Sequence, residues 1–123
     1  MVKRSQTDVK NEIVFITFFD GTIRDVNKSI KKFEKNLSSK FEITEPFGQV
    51  NQNYFGRIAM NFCGIYYDIK IHCNGSFKPK ALNIYVTYSQ HLLQLYESAV
   101  KSELKDIEEI IGETFEKPAK STA

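Results

Sequence analysis

The chain has 123 residues, of which 41% are hydrophobic and 26% charged, and its formal net charge is +2. This length suits one domain, the apolar content is too high for a disordered chain, and no apolar run is long enough to span a membrane. Ten Phe and six Tyr residues occur without any Trp, so much of the buried and exposed surface must be aromatic.

The first third of the sequence predicts an arm, a strand and a helix. Residues 1–11 are polar and aperiodic, which indicates a flexible arm. Residues 12–19 predict a strand with apolar side chains on both faces, typical of strands that are covered twice or lie at a subunit contact. Apolar residues then recur at three- and four-residue steps over 23–38. This spacing predicts a helix, with Thr22 and Asp25 in a capping-box pattern.

The middle of the chain predicts a four-stranded antiparallel meander. Its first three strands cover residues 41–47, 54–62 and 65–73, and the fourth carries inward-facing apolar residues from Leu82 to Tyr88. A two-residue turn at Cys63-Gly64 would pair Ile58 with Ile69 and gather apolar side chains on one face. The opposite face would collect polar and aromatic side chains, which are Arg57, Ala59, Asn61, Tyr66, Asp68, Lys70, His72 and Tyr85.

A long helix is predicted at the C-terminal end, with Ser89 as N-cap and Gly112 as C-cap. About 23 helical residues span roughly 34 Å, whereas a strand of seven spans only about 23 Å. We therefore expect the last two turns to overhang the sheet. The apolar side chains near that end form a candidate dimer contact, which consists of Leu104, Ile107, Ile110, Ile111 and Phe115.

Taken together, these elements predict an α+β domain over residues 12–115, followed by a flexible tail over 116–123. The expected order is strand, helix, four-stranded antiparallel meander and long C-terminal helix, with one curved sheet packed on the long helix. Residues 1–40 carry a net charge of +4 and residues 97–117 carry −4. These segments either attract one another, within a chain or between subunits, or are simply solvated helix faces.

Catalytic and metal-binding patterns are weak in this sequence. Cys63 and Cys73 are predicted at opposite ends of one hairpin strand, too far apart for a disulfide, so free thiols and a cytoplasmic location are expected. His72 and His91 lack the compact ligand spacing of a metal site. We expect no enzymatic activity, no cofactor and no metal.

Asp20-Gly21-Thr22 is similar to part of the first motif of haloacid-dehalogenase-like phosphatases. However, Phe18 stands where that motif has its nucleophilic aspartate. The tripeptide is therefore interpreted as a strand exit and a helix cap.

The polar face of the predicted sheet is the candidate interaction surface. It consists of Arg57, Asn61, Tyr66, Asp68, Lys70, His72 and Tyr85. Aromatic and basic platforms can bind single-stranded nucleic acid, but the small net charge disfavours this alternative. Tyr and Arg are also typical of the centres of protein interfaces. The first hypothesis is a non-catalytic protein–protein interaction module, homodimeric, in the role of an inhibitor or an adaptor.

Residues 12–113 also resemble the small proteins of the polyhydroxyalkanoic-acid system and a minimal helix-grip fold. The similarity lies in Phe33 to Lys40 leading into Phe41-Glu42-Ile43, in Phe62-Cys63-Gly64-Ile65, and in Leu92-Leu93 to Ile111. That family often carries a Trp in its first meander strands, and this chain has none. The resemblance implies binding of an apolar small molecule or a granule surface, without catalytic residues. The ligand cavity would lie between the sheet and Leu93, Tyr96 and Val100.

Overall fold

A computed structural model describes residues 2–6, 11–19, 21–51, 53–59, 66–74, 81–89 and 96–116. These residues form an α+β domain of six strands and two helices, which confirms the predicted class. In chain order the elements are β1 (Lys3–Gln6), β2 (Glu12–Phe18), α1 (Ile23–Leu37), β3 (Glu42–Val50), β4 (Asn53–Ala59), β5 (Tyr66–Asn74), β6 (Ala81–Tyr88) and α2 (Glu97–Phe115).

The strands form one sheet in the order β1-β2-β6-β5-β4-β3, with every neighbouring pair antiparallel. The sequence predicts five strands, and the sixth is β1, within the segment that was expected to be a flexible arm. β1 pairs with β2, with Lys3 opposite Ile16 and Gln6 opposite Ile13. An edge strand needs backbone hydrogen bonds on one side only, so a polar, aperiodic segment can form it.

The hairpin of β4 and β5 differs from the predicted register by two residues. Ile58 lies opposite Tyr67 rather than Ile69, while the expected turn at Cys63-Gly64 lies outside the described residues. Side chains alternate with a period of two along a strand, so a shift of two residues leaves each one on its predicted face. Ile58, Tyr67 and Ile69 are accordingly all buried.

Helix α1 begins with the predicted capping box. The backbone N–H of Asp25 donates to the Thr22 hydroxyl, and the backbone N–H of Thr22 donates to the Asp25 carboxylate at 2.8 Å. The hydrogen bond from the Thr22 backbone holds the pKa of Asp25 below its usual value. The cap thus sets both the start of α1 and the charge at its positive end.

Helix α2 runs from Glu97 to Phe115, so the predicted single helix with Ser89 as N-cap is wrong: Tyr96 is the N-cap, and its backbone is not helical. Residues 90–95 lie outside the described residues. The predicted C-cap at Gly112 is wrong, because the helix continues through Gly112. Glu116 is the C-cap instead, and its backbone N–H donates to the Gly112 carbonyl. The additional helical residues place Phe115 in the core, where its ring centroid lies 5.2 Å from that of Phe33.

The predicted overhang of the last helix is also wrong. The five residues expected to need a second subunit are at most 7% exposed within the single chain, namely Leu104, Ile107, Ile110, Ile111 and Phe115. Helix α1 packs beside α2 and covers this end. The overhang was expected because the length of the helix was compared with that of a strand, without the apolar surface that α1 contributes beside it. These side chains belong to the core and are not a dimer contact.

The basic N-terminal segment and the acidic C-terminal segment form ion pairs with each other within the chain. Arg4 on β1 forms an ion pair with Glu108 on α2 at 2.9 Å, and Lys40 approaches Asp106 at 3.6 Å. Both pairs are partly exposed, so each adds little stability. Their positions nevertheless show that the basic and acidic segments attract one another inside one chain.

Gly56 on β4 gives a direct test of the packing beneath the sheet. A Cβ atom at this position would lie 2.8 Å from the ring of Phe47, whereas one at Gly48 on β3 would meet nothing within 4 Å. We expect Gly56→Ala to lower the free energy of unfolding by about 1–3 kcal/mol through overpacking. Urea denaturation checks this, with Gly48→Ala as the matched control that leaves stability nearly unchanged. Equal stability of the two variants would contradict the described packing.

Candidate binding surface on the open face of the sheet

Both helices pack on one face of the sheet, together with the inward side chains of β2, β4, β5 and β6. Over the part of the chain that the structure describes, no element covers the opposite face, which we call the open face. On its four central strands it consists of Glu12, Val14, Ile16, Phe18, Asn53, Phe55, Arg57, Ala59, Tyr66, Asp68, Lys70, His72, Asn74, Ala81, Asn83, Tyr85 and Thr87.

Six of the seven predicted interaction residues lie on this open face: Arg57, Tyr66, Asp68, Lys70, His72 and Tyr85. The seventh, Asn61, lies outside the described residues. The pairing of the strands arranges these six residues in rows across the sheet, which could not be predicted from their spacing in the sequence. Arg57 lies opposite Asp68, and Lys70 lies opposite Tyr85.

The first row is a charged cluster around Arg57. Its Nε donates to the Asp68 carboxylate at 2.7 Å, and its Nη1 lies 3.4 Å from Glu45. The guanidinium also lies over the ring of Tyr66, 5.2 Å from the centroid. The hydrogen bond with Asp68 raises the pKa of Arg57, so this side chain stays cationic between the Asp68 and Glu45 carboxylates.

The second row is more apolar and centres on Tyr85. Val14 and Lys70 lie on either side of Tyr85, and Phe55 follows Lys70 on β4. The Lys70 ammonium lies 4.6 Å from the Tyr85 ring centroid, a cation–π contact. Phe55 is 44% exposed, which leaves a large part of its apolar ring in contact with water.

The larger apolar side chains of the open face are missing from the predicted site, namely Val14, Ile16, Phe18 and Phe55. Phe55 shares the alternation of Arg57, so its parity in β4 was the signal that could have identified it. Strand β2 was expected to be covered twice or to lie at a subunit contact. Its inner residue Phe15 is fully buried, but Phe18 is 72% exposed. On the open face Val14 is only 7% exposed, so the second side of β2 is covered at Val14 and open at Phe18.

A hollow of about 500 Å³ lies at one end of the open face, beside the charged row. It is lined by Asn11, Arg57, Tyr66, Asp68, Thr87, Tyr88 and Ser89. The Asn11 side-chain amide donates to the Tyr88 carbonyl and fixes one wall. The hollow can accept a polar side chain from a partner, because Arg57 and Asp68 offer donors and acceptors there.

The remaining reactive groups are placed apart from each other. The Nδ1 atom of His72 lies 2.8 Å from the Asn53 amide oxygen, and His91 lies outside the described residues. Within the described ranges, no three His, Cys, Asp or Glu side chains are grouped so that they could hold a metal ion. Cys73 is a buried free thiol whose pKa is raised by burial, and Cys63 is not described.

No helix in the described part of the chain is long and apolar enough to cross a membrane. Comparisons with protein-family models, curated proteins and solved structures find no match to this chain.

Proposed function

We propose that this chain is a non-catalytic protein-interaction module that forms a homodimer through its open face. The observation that carries the proposal is the exposure of Phe55 and Tyr66, 44% and 49%, on the neighbouring strands β4 and β5 of a sheet face without a covering element in the described chain. Aromatic side chains with this exposure, next to Arg57, have the composition of interface centres. Contact with a second protein surface would remove their apolar area from water.

The two edges of the sheet are poorer docking sites than its face. β3 contains Pro46, and its pairing with β4 is interrupted by two register shifts. β1 has four residues and carries Lys3 and Arg4. Proline, bulges, short length and basic charge are the usual means by which proteins block strand addition at an edge. Association through the face is therefore favoured over extension of the sheet.

The charges on the open face favour a protein partner over nucleic acid. Arg57 contacts two carboxylates, and Lys70 lies over an aromatic ring. A nucleic acid presents a row of phosphates, whereas the two cations on the four central strands of this face, Arg57 and Lys70, each already have partners within the chain. Mixed charges of this kind suit a surface that is itself mixed in charge.

The free Cys73 thiol suits a reducing compartment, and the proposal therefore places the module in the cytoplasm. An inhibitor and an adaptor both fit such a module. Either role would use the same contact through the open face.

Hydroxyl-radical footprinting at low and high protein concentration tests this proposal. We expect Phe55 and Tyr66 to lose reactivity as concentration rises, because the contact buries them. Tyr96, an exposed aromatic residue at the start of α2 on the helical side, serves as the internal control and should keep its reactivity. Unchanged reactivity of Phe55 and Tyr66, or protection of Tyr96 alone, would contradict the proposal.

A second candidate function, binding of an apolar small molecule, is supported by Tyr67. Its side chain is fully buried, and its hydroxyl has no hydrogen-bond partner in the described structure. Burial and the nearby Glu103 raise the pKa of Tyr67, so the hydroxyl stays protonated and could donate to a ligand. Of the expected cavity lining, Val100 is fully buried, Tyr96 is 36% exposed and Leu93 is not described. Native mass spectrometry of the purified protein decides, since a co-purified lipid would favour this alternative.

A further inference from the structure

The open face is self-complementary about one particular line. The six strands lie in the order β1-β2-β6-β5-β4-β3, so the midline of the sheet runs between β6 and β5. When two copies stack face to face about a two-fold axis along this line, β6 lies over β5 of the other copy. In the same way β2 lies over β4, and β1 lies over β3. The axis thus determines which open-face residues of the two copies lie opposite each other.

We infer that the partner on the open face is a second copy of this chain, related by a two-fold axis between β5 and β6 that sets Glu12 against Arg57 of the other copy. This inference rests on the proposed function. The strand register places Glu12, Thr87, Asp68 and Arg57 in one row across four strands. The axis reverses this row, so that the acidic end of each copy meets the basic residue of the other.

The same operation produces favourable contacts in the second row. Tyr85 comes to lie over Lys70 of the other copy, which repeats between chains the cation–π contact already present within each chain. Every such contact occurs twice, as in any isologous interface. Phe55 is brought over Val14 of the other copy, the β2 residue of the same row, which is 7% exposed. The partly exposed Ile16 follows two residues further along β2.

Arg57 can accept this additional partner without losing its present ones. Its Nε and Nη1 atoms contact Asp68 and Glu45, and a guanidinium offers five N–H donors in a planar fork. β2 and β4 each lie about 7 Å from the axis, one and a half strand spacings. At that distance the usual rotation of about 30° between stacked sheets displaces the pair by only a few ångström. Long side chains such as Arg and Glu can span that displacement.

The size of the face suits a dimer of this kind. Six strands about 4.8 Å apart and about seven residues long give a footprint of roughly 650 Å² per copy. This is close to the roughly 800 Å² that each partner contributes to a standard interface. The open face therefore needs no additional element to form a specific contact.

A complementation experiment tests the axis. Glu12→Lys gives a homodimer with two Lys–Arg contacts, and Arg57→Glu gives one with two Glu–Glu contacts, so each should dissociate at least tenfold more readily than wild type. An equimolar mixture forms a heterodimer with one native pair and one reversed pair. We expect sedimentation velocity to show that the mixture associates within about threefold of wild type.

The possible results separate the axis from the proposed function. If either single variant associates as tightly as wild type, or the mixture is no tighter than its components, the axis is wrong although a dimer remains. If wild type itself does not associate, the proposed function fails. Circular dichroism checks folding, because Arg57→Glu places a third carboxylate beside Asp68 and Glu45. Should that variant unfold, Arg57→Gln replaces it, and its mixture with Glu12→Lys should still be tighter than Glu12→Lys alone.

Discussion

Replacement of Ile107 by Asp should abolish cooperative folding. Ile107 is fully buried on α2, within the cluster that joins both helices to the sheet. An unpaired carboxylate there costs several kcal/mol in desolvation, in addition to about 2–5 kcal/mol for the lost apolar contacts. The sum is comparable to the total stability of a small domain, about 5–15 kcal/mol. Far-UV circular dichroism and urea titration measure the outcome.

The matched control for this variant is Ser102→Asp, which adds the same side chain at an exposed position of α2. Its free energy of unfolding should stay within about 0.5 kcal/mol of wild type. A well-folded but dissociated Ile107→Asp protein would contradict the structure. That result would restore the interpretation of this helix end as a subunit contact.

Phe55→Asp should weaken self-association strongly while the fold persists. Phe55 is 44% exposed on the open face and lies opposite Lys70, which would neighbour the new carboxylate within the same sheet. In the dimer the substitution removes two aromatic contacts and adds two buried charges. A loss of about 2–4 kcal/mol per interface, typical of a hot spot, raises the dissociation constant by about 30- to 1000-fold.

Sedimentation velocity of Phe55→Asp measures this change, with Ser102→Asp as the control on the opposite side of the molecule. The control should associate like wild type, because it adds the same charge away from the open face. Equal weakening of both variants would attribute the effect to net charge. Unchanged association of Phe55→Asp would remove the open face from the interface.

The faces of the strands could be predicted from the sequence, whereas their register could not. Alternation in β4, β5 and β6 placed Tyr67, Ile69 and Val86 inward, and all three are buried. Pairing depends on the turn between β4 and β5, and the assumed two-residue turn at Cys63-Gly64 shifted the register by two. Since the side-chain period is also two, the error left the open face unchanged. Most of the candidate site was therefore predictable despite a wrong pairing.

Local sequence patterns could not predict contacts between elements that are far apart in the sequence. α1 and α2 are separated by the meander, and nothing in their periodicity shows that they pack side by side. Phe115 therefore appeared unpartnered, although it contacts Phe33 and Phe19. Strand β1 was missed for a similar reason, because its stability comes from pairing with β2 and from the Arg4 contacts with Phe15 and Glu108.

The central claim is that the open face brings two copies of this chain together. Sedimentation equilibrium of the wild-type protein from low micromolar to several hundred micromolar tests it most directly. We predict a reversible transition to a species with twice the mass of one chain, with no larger assembly, because a two-fold contact between open faces is closed. A single species with the mass of one chain throughout that range would contradict the claim.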